Sequence, residues 1–199
     1  MRRADATEER SVQASMRRHG VVVRDVWVRP GVEVNAWAPL RGRMWVSEGF
    51  LTAPTWRRAA ILAHEAGHAR LRHVSWCLVL VVVTEAALIP ARMALGTVAL
   101  ASPLGWGLSM ALVGAAQVGV FAGLSALGRR QEFAADRWAV QHGGITVGVY
   151  RDHLALLHHP EARGLEDRAL ATHPSPDRRI KHLRPRKGAA AVFRGKAVV

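Results

Sequence analysis

The chain has a single cysteine in 199 residues, and its acidic residues are few beside its basic ones. Cys77 has no partner for an internal disulfide bond, which excludes a disulfide-stapled fold and is compatible with a reducing compartment. Residues 1–20 are polar and charged, and without an apolar core region they do not resemble a cleavable secretory signal. The 28 Lys and Arg exceed the 15 Asp and Glu by 13, so the formal charge is +13.

The basic charge and the apolar residues occupy different parts of the chain. Half of the residues are hydrophobic, and they concentrate in the middle, while arginines crowd both ends. This distribution favours membrane segments between basic flanks over a nucleic-acid-binding protein. The length allows one domain, or a small domain with membrane segments.

A charge-free stretch runs from Met93 to Gly128, and Glu85 is the only charged residue from Val74 to Ile89. A membrane-spanning helix needs about 20 apolar residues. The sequence therefore predicts a two-helix transmembrane hairpin, with spans near 74–95 and 104–127. The alternative is a buried hairpin inside a soluble domain.

Basic residues mark the base of this hairpin rather than its connecting turn. Because cytoplasmic flanks carry an excess of Lys and Arg, residues 1–73 and 129–199 are both expected on the cytoplasmic side of the cell membrane. Arg92 is the one basic residue near the turn, and it follows Glu85 by seven residues on the same helix face. We expect these two to form an ion pair, although a carboxylate at membrane depth is also a functional candidate. The flanking basic residues are Arg70, Arg72, His73, Arg129 and Arg130.

A metal-binding pattern, His64-Glu65-Ala66-Gly67-His68, precedes the hairpin. Residues four apart share a helix face, so His64 and His68 can offer two imidazole nitrogens to one ion. The Glu65 carboxylate is placed to take a proton from a water that attacks a peptide carbonyl. The alternative is an amphipathic helix whose histidines are merely exposed.

A second pair of candidate residues, Glu132 and Asp136, follows the hairpin with the same four-residue spacing. A zinc site with two histidines needs a third protein ligand, and Glu132 can supply it. Asp136 can accept the remaining ring N–H of a liganding histidine. The hairpin returns the chain to the side where the first helix left, which favours this hypothesis over an exposed acidic pair. Histidine and carboxylate ligands also suit other first-row metals.

The remaining segments predict a small sheet before the motif helix and short helices after the hairpin. A polar helix is expected over 5–19, a β-hairpin from the Val-rich segments 21–28 and 32–37, and a further strand over 43–47. An amphipathic helix is expected within 145–170. Its histidines, and those that follow it, lack a paired spacing and are taken as surface or core residues: His153, His158 and His159. The basic tail is expected to be disordered or to lie on anionic headgroups.

Four motifs in this order resemble the membrane-associated zinc endopeptidases that include HtpX and the type 1 CAAX prenyl proteases. The motifs are Asn35-Ala36-Trp37, His64 to His68, Glu132 to Asp136, and Thr172-His173-Pro174 through Arg179-Ile180. The resemblance implies an α+β fold, a mainly helical zincin-like domain with a small N-terminal sheet and an inserted two-helix transmembrane hairpin. The sheet and motif helix correspond to 1–73 and the hairpin to 74–128. The second helix with the rest of the protease domain corresponds to 129–183, and the tail to 184–199.

The resemblance also implies roles for individual residues. His64, His68 and Glu132 would bind one Zn²⁺, Glu65 would act as general base and then proton donor, and Asp136 would orient a ligand histidine. His173 would stabilise the developing oxyanion, and Arg179 would hold the His173 loop by pairing with an acidic group. The strand Asn35, Ala36 and Trp37 would bind a protein or peptide substrate as an added strand.

The expected function is that of a membrane-anchored zinc metalloendopeptidase, with quality control of membrane proteins as its setting. HtpX-type members carry spanning segments before the motif helix and this sequence shows none, so prenyl-protein processing, which uses a larger membrane chamber, is not expected. Two alternatives stay open. One is a membrane-bound interaction or regulatory protein stabilised by zinc, and the other is a basic protein that binds nucleic acid or a lipid surface.

Overall fold

A computed structural model describes residues 1–99, 102–157 and 173–183. Its described elements alternate early between strand and helix and are then helical. In chain order they are β1 (Arg2–Arg3), α1 (Ala6–Arg18), β2 (Asp25–Arg29), β3 (Ala36–Leu40), β4 (Arg43–Ser47), α2 (Glu48–Thr52), α3 (Thr55–Arg70), α4 (His73–Ala99), α5 (Pro103–His142), α6 (Val147–Ala155) and α7 (Pro176–His182). The predicted α+β class with a small N-terminal sheet and two apolar helices is confirmed.

The sheet has the strand order β1-β2-β4-β3, which corrects the predicted hairpin. β2 and β3 are not neighbours: β2 pairs in parallel with β4, and β3 pairs antiparallel with β4. Pro39 has no backbone N–H to donate, so β3 suits a sheet edge better than the centre. The hairpin that does form joins β3 to β4 through Arg41 and Gly42, which both have positive φ. The two-residue strand β1 completes the other edge and had no signal in the sequence.

One face of the sheet forms the core with helices α1 and α3. In the parallel register Val26 lies opposite Met44 and Val28 opposite Val46, and all four side chains are fully buried. Apolar burial of this kind stabilises a fold by about 25 cal/mol per Å². α1 closes over the sheet and begins at a capping box between Asp5 and Glu8. The helix that carries the HExxH motif therefore packs on this sheet.

Helices α3 and α5 approach each other closely at Gly67. A Cβ atom added at Gly67 would lie 3.1 Å from the backbone of Ala135, a separation that forces a neighbour to give way. The absence of a side chain at this position lets the two backbones meet. As a result the turns of α3 and α5 on either side of this contact share one small volume.

The long helices α4 and α5 form the hairpin predicted from the apolar run. By length and composition, Ser75–Gly96 and Pro103–His142 could each cross a membrane. Their apolar windows are almost entirely exposed, at 0% and 6% buried, which argues against a hairpin enclosed in a soluble core. Exposed side chains include Trp76, Leu78, Val82, Val83, Ile89, Met93, Leu104, Trp106, Leu108, Val118 and Phe121.

A polar contact joins the two hairpin helices within the apolar region. Arg92 Nη1 lies 2.8 Å from Glu85 Oε2, which confirms the predicted ion pair. Arg92 Nη2 also donates to the Gln117 side chain at 2.7 Å. The pair is thus tied to both helices.

The second half of α5 leaves the apolar region and packs into the domain. The helix is continuous from Pro103 to His142, so the predicted boundary between 128 and 129 falls inside one helix. Helix α6 is described as far as Ala155, within the helix expected over 145–170. His158, His159 and the tail 184–199 lie outside the described residues.

Candidate metal centre

Two helices bring three possible ligands together, as the spacing predicts. His64 and His68 come from adjacent turns of α3, and Glu132 comes from α5. The Nε2 atoms of His64 and His68 are 3.0 Å apart. Glu132 Oε2 lies 3.4 Å from His64 Nε2, and Oε1 lies 3.3 Å from His68 Nε2.

These separations fit a tetrahedral metal ion. Two atoms bound about 2.0–2.1 Å from one zinc ion at the tetrahedral angle lie about 3.3 Å apart. The donor set of two imidazole nitrogens and one carboxylate is that of catalytic zinc sites, in which a fourth position is left for water or substrate. The three side chains can therefore hold a cation without rearrangement of the helices.

The other ring nitrogen of His64 faces a buried polar cluster. His64 Nδ1 is 3.0 Å from Asp136 Oδ1 and 2.9 Å from the Tyr150 hydroxyl oxygen. Tyr150 in turn donates to Asp136 Oδ1 at 2.7 Å. Asp136 and Tyr150 can each accept a hydrogen bond from Nδ1, and a third neighbour, Arg179 Nη2 at 3.4 Å, donates to Asp136 Oδ1 at the shorter distance of 2.6 Å. The proton of a neutral His64 therefore belongs on Nδ1, which leaves Nε2 available to a metal.

Arg179 from α7 closes this cluster. Its Nε and Nη2 atoms donate to the two oxygens of Asp136 at 2.9 and 2.6 Å, a bidentate pair. Its Nη1 lies 3.3 Å from Glu132 Oε2. One buried guanidinium thus contacts both carboxylates of the ExxxD motif, and it fixes α7 against α5.

The electrostatics of the cluster keep its two carboxyl groups ionised. Burial alone would raise the pKa of Glu132, but hydrogen bonds to three histidines outweigh it and hold that pKa below its usual range. For Asp136, burial is likewise outweighed by the hydrogen bonds from Arg179 and His64, which lower its pKa. Both groups are therefore anionic at neutral pH.

His64 responds to the same neighbours in the opposite direction. Burial would lower the pKa of His64, yet hydrogen bonds to Asp136 and Glu132 raise it to about 9. A liganding imidazole must be neutral, so a metal that binds here displaces a proton. Burial and the Asp136 charge raise the pKa of Tyr150 well above its usual range, which keeps its hydroxyl protonated.

The second ligand histidine has a different neighbour. His68 Nδ1 lies 2.9 Å from Nδ1 of His73, the first residue of α4. His73 is buried, and burial together with the His68 charge lowers its pKa to about 4. The two candidate ligand histidines thus contact different parts of the chain.

His173 and Glu65 complete the predicted catalytic set. His173 Nδ1 lies 3.2 Å from Glu132 Oε1, and its side chain is 59% exposed. The hydrogen bond to Glu132 raises the pKa of His173, with burial opposing it. Glu65 is half-buried and follows His64 on α3.

The predicted substrate-binding residues lie on the edge strand rather than in the metal cluster. Asn35 precedes β3, and its side-chain oxygen accepts from the Ala36 N–H at 2.9 Å. Ala36 is buried, and the Arg29 guanidinium lies over the Trp37 ring, with Cζ 5.8 Å from the ring centroid. In the described residues β3 pairs on one side only, with β4, and the same strand packs on α3.

The model of peptidase family M48 matches residues 4–187. The chain belongs to peptidase family M48. Members of this family are zinc-dependent metalloproteases, and the predicted resemblance to HtpX-like and CAAX prenyl protease-like enzymes is confirmed at that level. No curated protein gives a significant match.

The M48 chain also resembles a solved structure, the crystal structure of Ste24p from S. mikatae. The TM-score is 0.60 at 16% sequence identity, which supports the shared fold. The match covers 90% of this chain and 50% of Ste24p. The chain therefore spans about half the length of that protein.

Two neighbours of this M48 site carry no functional signal in the sequence. Tyr150 is the only tyrosine of the chain, and its hydroxyl touches His64 and Asp136. The sequence marks His73 only as a basic flank of the hairpin. No spacing rule marks either residue, because each reaches the site through the packing of another helix. His153 is buried beside Tyr150, which places it in the core.

Proposed function

We propose that the chain is a membrane-anchored zinc metalloendopeptidase. The observation that carries the proposal is the convergence of His64, His68 and Glu132 at tetrahedral spacing in a chain of family M48. When bound, zinc would polarise a peptide carbonyl and lower the pKa of water. This chemistry hydrolyses a peptide bond, and the proposal that the bond lies within a polypeptide rests on the open sheet edge at β3, which suits an extended segment of a substrate.

The chain's own residues would move protons and stabilise charge. Glu65 would take a proton from the attacking water and pass it to the leaving amine. His173, which has a raised pKa and an exposed side chain beside Glu132, would donate to the developing oxyanion. Asp136, held by Arg179, would keep His64 in the tautomer that binds the metal.

A polypeptide substrate would add to the edge of the sheet at β3. Because β3 pairs only with β4 in the described residues and packs on α3, an extended peptide paired there lies alongside the HExxH helix. Asn35, Ala36 and Trp37 would contribute backbone hydrogen bonds and side-chain contacts. Pairing of this kind binds the backbone of a substrate and therefore suits substrates of varied sequence.

The two spans of the hairpin would anchor the enzyme in the cytoplasmic membrane. Its exposed apolar surface supports this, and the arginines at its base favour a catalytic domain on the cytoplasmic side and contact with anionic headgroups. A protease held at that surface meets membrane proteins and proteins near the membrane. Quality-control cleavage of such proteins is the setting that we propose.

The substitution Glu65→Gln tests the catalytic proposal. Protein purified in detergent from the membrane fraction should cleave an unfolded substrate, lose this activity with a chelator and regain it with Zn²⁺. Glu65→Gln should retain zinc but lose cleavage by at least 10²-fold, since general base catalysis contributes about 10²–10⁴. Glu33→Gln, an exposed glutamate remote in sequence from the motif, is the matched control and should cleave like the wild type. Full activity in Glu65→Gln would exclude Glu65 as the base, and a wild type that binds zinc without any cleavage would favour the zinc-stabilised, non-catalytic alternative.

A further inference from the structure

We propose that His73 is a positioning residue for the metal ligand His68: it accepts the hydrogen bond from His68 Nδ1–H and so directs Nε2 of His68 toward the ion. This inference rests on the proposed metal site and adds a residue from the hairpin to it. His73 touches no reacting atom in this proposal. It acts only through the orientation and tautomer of His68.

The contact geometry leaves one arrangement of protons. His68 Nε2 faces Glu132 Oε1 at 3.3 Å and His64 Nε2 at 3.0 Å. A nitrogen that binds a metal carries no proton, so the proton of a liganding His68 must be on Nδ1. His68 Nδ1 lies 2.9 Å from His73 Nδ1. Nδ1–H of His68 therefore donates the hydrogen bond, and Nδ1 of His73 accepts it.

His73 is held in place for this task from two directions. Arg72 adopts a left-handed backbone conformation, with φ 56°, between the end of α3 and the start of α4. That conformation costs about 1–2 kcal/mol for a residue other than glycine, and it turns the chain so that His73 folds back over His68. On the other side, Gln131 Nε2 donates to the His73 carbonyl oxygen at 3.4 Å, and Gln131 is adjacent to Glu132.

The same contacts connect the hairpin to the metal site. His73 begins α4 and Gln131 lies on α5, so both stems of the hairpin meet beside His68. Cys77, one turn further along α4, donates to the Gln131 side chain at 3.3 Å. A change in how the two stems sit together would therefore move His73 relative to His68.

His64 and His68 have supports of different chemistry. His64 is hydrogen-bonded to a carboxylate that is itself held by a buried arginine, whereas His68 is hydrogen-bonded to an imidazole. An outer hydrogen-bond partner of a metal ligand contributes about 10- to 100-fold to metal affinity. His73 should therefore contribute a measurable part of the zinc affinity although it is not a ligand.

Substitutions at His73 separate hydrogen bonding from space filling. In His73→Asn the side-chain oxygen takes the place of Nδ1 as an acceptor, while His73→Leu fills similar space without one. Zinc affinity would be measured in detergent by competition with a chromophoric chelator, beside thermal unfolding of each protein. We expect a 10- to 100-fold weaker affinity in His73→Leu, less than 5-fold in His73→Asn, and no change in His142→Leu, an exposed histidine at the end of α5.

The outcomes distinguish this inference from the proposed function. Wild-type zinc affinity in His73→Leu, or an equal loss in the Leu and Asn variants, would overturn the role of His73 and leave the metal site standing. A wild type that binds no zinc would overturn the proposed function itself.

If His73→Leu does not fold, a measurement on the wild type alone tests the role of His73. In zinc-loaded protein labelled with ¹⁵N-histidine, we expect His68 as the Nδ1–H tautomer, with a scalar coupling to His73 Nδ1 across the hydrogen bond. A protonated Nδ1 without that coupling would contradict the inference.

Discussion

The candidate metal centre has two sides that stand in different environments. Beside His64 lie Asp136, Tyr150 and Arg179, of which none is more than 5% exposed, so this side is closed by a charged cluster. On the other side, at the Nε2 atoms of His64 and His68, Glu132 also contacts His173, whose side chain is 59% exposed. The difference assigns separate tasks to the two sides. We propose that the closed side holds the site together and that a substrate enters from the open side.

Removal of Asp136 should have the largest effect, because it breaks the closed side. In Asp136→Ala, the buried Arg179 guanidinium loses its bidentate partner, and loss of one member of a buried pair costs about 3–5 kcal/mol of unfolding free energy. Thermal and denaturant unfolding in detergent would measure this loss. Asp152→Ala, an exposed aspartate on α6, should change stability by less than about 0.5 kcal/mol. Equal stabilities of the two variants would contradict the division of tasks.

Removal of His173 should affect chemistry and spare stability. The side chain is exposed, so His173→Ala should unfold like the wild type and bind zinc with similar affinity. If His173 donates to the oxyanion, kcat should fall by about 10²–10³, as it does when one such donor is lost. Peptide cleavage and zinc titration, both measured on this variant, separate an effect on kcat from an effect on zinc affinity. His182→Ala, an exposed histidine on α7, serves as the control. A destabilised His173→Ala with normal kcat would reverse the assignment.

Tyr150→Phe tests the closed side with a smaller change. The variant keeps the buried ring but removes the hydroxyl that bridges Asp136 and His64. Asp136 and Arg179 still hold each other, so we expect a loss of about 1 kcal/mol in unfolding free energy and a few-fold weaker zinc binding. Unfolding experiments measure the change in stability, and chelator competition measures the change in zinc affinity. A loss as large as that of Asp136→Ala would show that the tyrosine rather than the aspartate organises the closed side.

The parts of the site that lie on regular helices could be predicted from the sequence. The spacing of His64 and His68 and that of Glu132 and Asp136 follow from the helix repeat alone. Their convergence required one further step, the inference that an apolar hairpin returns the chain to its starting side. The contact of α3 with α5 at Gly67 shows how closely the two helices then meet.

The parts that depend on packing between distant segments could not be predicted. The parallel pairing of β2 with β4 has no local signal in either strand, and the pattern of the segments 21–28 and 32–37 indicates a hairpin with the wrong partner. Tyr150 and His73 carry no periodic signal, since each reaches the site from a separate helix. Residue type alone did not distinguish His73 at the hairpin base from the arginines beside it.

We propose that α3 and α5 together hold one catalytic zinc ion. Metal analysis with X-ray absorption on purified protein tests this proposal most directly, with wild type beside Glu132→Ala. We expect one zinc per wild-type chain, coordinated by two imidazole nitrogens and carboxylate oxygen at about 2.0–2.2 Å, and a loss of that ion in Glu132→Ala. Stoichiometric zinc that is unaffected by Glu132→Ala, or a wild type without affinity for zinc, would contradict it.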